Sequence, residues 1–367
     1  MPIEVSLAVL LAAAAAACAV PGVFLVLRRL ALVSDAISHV LLFGIVAAFL
    51  FTRDLSSPWL FVGAAASGVL TVALVEMLQR TRLVREDAAI GLVFPALFSL
   101  GAILLRLYVP PGVHLDVDQV LLGTPEIATL NTLTVGGFAV PAGTVVLAGL
   151  FVLNAGLVAV FYKELKLGTF DAGLSAVFGF APAVLHYGLM TAVSLTAVAA
   201  FDAVGPVLVV ALFVVPPAAA YLLTDRLSVM LALSVGIGVV GAILGVWIAV
   251  WLDANVAGTV ATALGVLFAA AFVFAPRRGL AAAAVMRWRR KRRFHETMLA
   301  IHLTQHEGTP QEEDESRLAG LHRHLGWLPH EAAAVATRAE RRGLVVRRGE
   351  RLHVTNGGRT AAAEALG

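Results

Sequence analysis

Apolar residues run in blocks of about twenty through the first three quarters of this chain, separated by short polar breaks. Such a block spans a bilayer as one helix at about 1.5 Å per residue. The pattern predicts nine spans at roughly 3–27, 31–51, 58–78, 88–107, 138–162, 183–201, 203–223, 228–252 and 256–275. Beyond about residue 280 the alternation becomes that of a polar domain. It reads as a helix over 294–306, an acidic loop over 311–316, a helix over 331–342 closed by Gly343, a hairpin around Arg348-Gly349-Glu350 and a final helix. The fold class is therefore an all-α polytopic membrane protein with a small α+β domain. The expected division is a membrane domain over 1–280, a basic juxtamembrane linker over 281–293 and a second domain over 294–367.

Composition supports the membrane reading. Hydrophobic residues make up 59% of the chain against 14% charged residues, and the mean hydropathy is +0.89. No basic residue precedes Arg28, so the first block reads as a retained helix and not a cleaved leader. The single cysteine, Cys18, excludes a disulfide framework within the chain. Basic clusters at Arg28-Arg29, Arg80 to Arg85, Lys163 to Lys166, Arg226 and Arg277-Arg278 fall on one side when odd-numbered spans run inward. That places the N-terminus outside and the C-terminal domain on the cytoplasmic side.

Polar residues inside the apolar blocks are the candidate chemistry. Asp35 and His39 stand four residues apart, so a helix puts them on one face. With entry near Leu30, they lie about 8 and 14 Å deep. Intramembrane ionisable groups normally face a protein interior or a pathway. The pair reads either as half of a coordination shell for a divalent transition metal or as a hydrogen-bonded lock between helices. Asp202 precedes Gly205-Pro206, which must break or kink the helix; it is either solvated in a tight outer turn or part of the pathway. His114, Asp116 and Asp118 alternate in an outer loop, as a metal-collecting gate or a solvated segment. His186, near a span end, reads as structural. After the fifth span, Thr169 is placed to cap a short helix, and the small residues of 170–177 allow a close protein contact or an ordinary interfacial helix.

Together these segments resemble the permease subunit of the zinc/manganese/iron family of ABC metal importers. The resemblance rests on Arg28 to His39, His114 to Gly123, Lys163-Glu164-Leu165 through Gly179, and Val204-Gly205-Pro206 through Ala220, and covers about 1–278. It implies that Asp35 and His39 ligate the transported ion, with Asp202 as a further candidate. It also implies that residues 164–179, including Glu164, Leu165, Asp171, Ala172 and Gly173, seat on a separate ATPase. Expected partners are that ATP-binding cassette subunit, an extracytoplasmic metal-binding protein and a second permease copy or paralogue. No permanently bound cofactor is expected; the cargo is manganese, with zinc or iron as alternatives. The three lysines include none in a GxxxxGK[ST] phosphate loop, so the chain itself is a transport subunit and not an ATPase.

The tail, with Arg342-Gly343-Leu344-Val345 and Leu352 to Gly358, resembles the winged-helix domain of iron-dependent-repressor-type regulators. Seven of the ten histidines lie there. His295, His302 and His306 share a helix face and form either a regulatory metal site or an ordinary surface. Nucleic acid is not an expected partner. Two other readings stand beside ATP-driven import: a secondary metal transporter or channel coupled through Asp35 and Asp202, and a membrane-anchored metal sensor.

Overall fold

The computed structural model describes residues 2–54, 57–108, 125–135 and 138–366. The chain divides into two compact units, Met1–Gly279 and Leu280–Gly367. In the first unit the elements are α1 (Ile3–Leu27), α2 (Ala31–Thr52), α3 (Trp59–Arg80), α4 (Glu86–Tyr108), α5 (Pro125–Ala128), β1 (Thr132–Val135), β2 (Phe138–Pro141), α6 (Ala142–Val160), α7 (Tyr162–Phe170), α8 (Ala172–Val177), α9 (Pro182–Val204), α10 (Pro206–Leu223), α11 (Leu227–Leu252) and α12 (Val256–Phe274). Nine of the described helices are long and apolar enough to cross a membrane.

Burial differs sharply among them. The apolar window of α1 is 78% buried, that of α4 only 22%, so α1 is the axis of the bundle and α4 a peripheral helix. α6, α10 and α11 pack around α1. Alanines Ala14 to Ala17 and Cys18 on α1 let those neighbours approach. A second group forms where α2 packs on α3 and α4. Gly44 sits where α2 crosses α3, and a Cβ there would strike the Gly63 carbonyl. Small residues at a crossing give the van der Waals contact that holds membrane helices together.

Four sequence expectations change in detail. The fifth span begins at Ala142, because residues 138–141 pair with β1 and Pro141 caps α6 in an extended conformation. The break between spans six and seven falls at Gly205-Pro206 as expected, where Gly205 has a φ of 82° that favours glycine, but the sixth span runs on past residue 201 to Val204. Asp202 lies in the last turn of α9. Asp171, not Thr169, caps the short helix after the fifth span: its backbone is extended and its side chain accepts from the Leu174 amide at 2.8 Å.

In the second unit, α13 (Leu280–His306) begins thirteen or so residues earlier than the pattern predicts, so the basic run is helical. Arginine and lysine are good helix formers, which explains why their charge did not interrupt it. There follow α14 (Glu312–Glu315), α15 (Leu321–His324), α16 (Pro329–Arg341), β3 (Val345–Arg348), β4 (Arg351–Val354) and α17 (Asn356–Leu366). The acidic stretch predicted as loop thus contains one helical turn. The hairpin is as predicted, turning at Gly349 with Arg348 opposite Arg351. Leu299, Leu303, Val335, Ala339, Val345 and Leu352 form its core. Glu296 is buried beside Arg342 at 2.6 Å and Arg338 at 3.3 Å, which fastens α13 to α16.

Candidate metal site

α2 brings Asp35 and His39 together as their spacing required. His39 Nε2 lies 3.5 Å from Asp35 Oδ1. Most of the surrounding helix is buried, including Ser34, Ile37, Ser38 and Val40. These two side chains are not: their exposures are 45% for Asp35 and 33% for His39. The serines supply no polar partner, because Ser34 and Ser38 turn their hydroxyls back onto Ala31 and Ser34 carbonyls. Phe94 and Phe98 of α4 wall the imidazole, with ring centres 5.6 and 6.3 Å away. Neither phenylalanine was singled out by sequence; their α-helical spacing of four was the only signal.

Both groups stand on the same helix, so their contact joins no second element. A separation of 3.5 Å is long for a hydrogen bond. A cation bound to both atoms at about 2.1 Å would see them at roughly 110°, near the tetrahedral value. Both side chains keep an exposed side.

Asp202 is exposed, and among the described residues no hydrogen bond or ion pair joins it to Asp35 or His39. His114, Asp116 and Asp118 lie outside the described residues. His186 packs against Tyr187 and stands 3.4 Å from Arg28 Nη1, consistent with a structural role. Arg28 also donates to Thr169 Oγ1 at 3.2 Å, tying the end of α1 to α7.

The loop between α6 and α9 has two faces. Leu165 is buried in the membrane unit's core, and Ser175 is fully buried. Glu164 is half-buried. Phe170, Leu174, Val177 and Phe178 are exposed by 65, 43, 82 and 66%. Leu174 and Val177 stand on α8, and Phe170 and Phe178 flank its two ends. Gly173 is exposed, with only Asp171 Oδ1 near the place of a side chain.

In the second unit the structure brings together His302 and His306 but not His295, which stacks on Trp327 at 5.2 Å. Glu315 completes the group: donor atoms of His302, His306 and Glu315 all lie within 4.8 Å of one another. Burial pushes the His302 imidazole below the usual histidine range, with the Glu315 charge opposing. Nothing in the sequence distinguished Glu315 from its acidic neighbours Glu312, Glu313 and Asp314.

The membrane-length apolar helices among the described residues define a polytopic helical membrane protein. The chain belongs to the ABC 3 transport family, whose model matches residues 3–275. It is 44% identical to the zinc transport system membrane protein TroD of Treponema pallidum, over 95% of each chain. It is 46% identical to the manganese transport system membrane protein MntD of Bacillus subtilis, over 72% of this chain and 89% of that one. Its fold is like that of PsaBC from Streptococcus pneumoniae in complex with Fab, with a TM-score of 0.63 at 24% identity, covering 76% of this chain and 94% of that one.

Proposed function

We propose that this chain is the permease subunit of an ATP-driven importer of a divalent transition metal, manganese in the first instance, with zinc or iron as alternatives. The observation that carries the reading is the Asp35–His39 pair, half-exposed on a helix whose neighbouring Ser34 and Ser38 are buried. A carboxylate and an imidazole left facing lipid would be disfavoured by several kcal/mol. A second permease covering that face would remove the penalty and enclose the site. Family membership and the names of the relatives support metal as the cargo.

ATP hydrolysis belongs to a separate subunit docked on α7 and α8. The exposed Phe170, Leu174, Val177 and Phe178 give it an apolar seat, and Leu165 with the Arg28–Thr169 bond connects that seat to the bundle. An extracytoplasmic protein delivers the ion, with the N-terminus outside and the second unit in the cytoplasm. Helices followed by a hairpin and a terminal helix support a winged-helix reading of that unit. Its role is to modulate transport.

The test is uptake of radioactive manganese, zinc and iron by cells expressing the complete system. Asp35→Ala and His39→Ala are each expected to abolish uptake while the protein stays inserted and partnered. Normal uptake of all three metals by both variants overturns the reading.

A further inference from the structure

We propose that His302, His306 and Glu315 bind one divalent transition-metal cation in the second unit, at a site distinct from the Asp35–His39 pair. His302 and His306 are four residues apart on α13, which places two imidazoles on one helical face as in many zinc-binding helices. Glu315 reaches them from α14. The donor set is two nitrogens and one carboxylate oxygen, suited to zinc, manganese or ferrous iron.

An ordinary ion pair does not account for the arrangement. His302 Nε2 and Glu315 Oε2 are 3.2 Å apart and both buried, yet neither completes a hydrogen bond. His302 as a residue is 9% exposed. Two more imidazoles crowd the same carboxylate: His306 has its ring centre 4.9 Å from that of His302, and His324 Nδ1 lies 3.0 Å from Glu315 Oε2. Charging all three rings would bring like charges together in a partly buried space. Neutral rings keep a free lone pair each, and a small closing movement lets one cation accept them together with the carboxylate. At bond lengths of about 2.1 Å, His302 and Glu315 would subtend roughly 100° at the ion. His324 Nδ1 contacts the same Oε2 and helps fix the carboxylate, as outer groups orient metal ligands.

The site also has mechanical reach. Ser316 accepts from the Leu352 amide at 2.9 Å, Leu318 donates to the Glu350 carbonyl at 3.0 Å, and Arg351 pairs with Glu313 at 2.6 Å. The segment carrying Glu315 is thus stitched to the β3–β4 hairpin. An ion shared by Glu315 and α13 clamps helix and hairpin together, which makes this unit responsive to free metal.

The experiment uses the full chain in detergent, stripped of metal and carrying Asp35→Ala and His39→Ala so that the membrane pair is silent. Cobalt(II) is the probe, followed by its visible absorption and by counting bound ion after desalting. One cobalt per chain is expected, with affinity lowered at least about tenfold by Glu315→Gln or His302→Asn and unchanged by His295→Ala. Cobalt should also shield His302 and His306 of the otherwise unsubstituted second unit from acylation by diethyl pyrocarbonate, but not His295. That footprint does not depend on whether a variant folds. Absence of bound cobalt, binding indifferent to both substitutions, or equal labelling of all three histidines overturns the proposal.

Discussion

Asp35 with His39 in the membrane unit, and His302 with His306 and Glu315 in the second unit, offer the same ligand chemistry in different surroundings. The first pair is half-exposed, sits on one helix and leaves its shell open. The second set is drawn from two elements, is largely buried and has its polar atoms aimed at one another. On the roles proposed for them, the contrast is one of purpose. A transport site must release its ion, so few ligands and an open side serve it. A site that reports on metal must hold the ion long enough to shift a structure, so more ligands and burial serve it. Burial strengthens each charge interaction because the local dielectric is low.

The comparison breaks most decisively at the membrane pair. Asp35→Ala and His39→Ala should reduce uptake to the level of cells without the permease, while Glu315→Gln leaves uptake measurable. Equal loss in all three would erase the distinction between cargo and regulatory sites.

Next in size is the docking face. Gly173→Trp adds bulk where the fold has room, and Val177→Asp places charge in the exposed apolar seat. Each should release the ATPase during co-purification and lower uptake several-fold, of the order expected when a central interface residue costs about 2 kcal/mol or more. Retention of both ATPase and transport would remove α8 from the interface.

Truncation sharpens the same division. A cut after Arg293 would sever α13, so the informative cut follows Gly279, at the end of the first unit. The shortened chain should insert, bind its ATPase and retain uptake within a few-fold of the full chain, while losing any dependence on internal metal. Complete loss of uptake in an inserted, partnered protein would make the second unit part of the transport machinery.

The smallest effect concerns the buried carboxylate of the second unit. Arg342→Ala leaves Glu296 with Arg338 alone and should lower the unit's resistance to proteolysis by about 1–3 kcal/mol of opening free energy, with uptake hardly changed. Unchanged protease protection would mean that the Arg342–Glu296 pair adds nothing to the hold between α13 and α16.

Hydropathy by itself determined the number and approximate limits of the membrane helices, because a bilayer admits only segments long and apolar enough to satisfy their own backbone. Local spacing determined that Asp35 and His39 share a face, that Gly205-Pro206 interrupts a helix and that Gly349 turns a hairpin. These are short-range consequences of backbone geometry, and the residues that set them are neighbours in sequence. The tertiary structure decided what lies far apart along the chain. It set Phe94 and Phe98 against His39, separated Asp202 from the pair by any direct bond, and sent His295 to Trp327. It chose Glu315 from a run of four acidic residues, because the turn of α14 and its bonds to β4 aim one carboxylate inward. Periodicity assigns a face to each helix; only packing decides what that face meets.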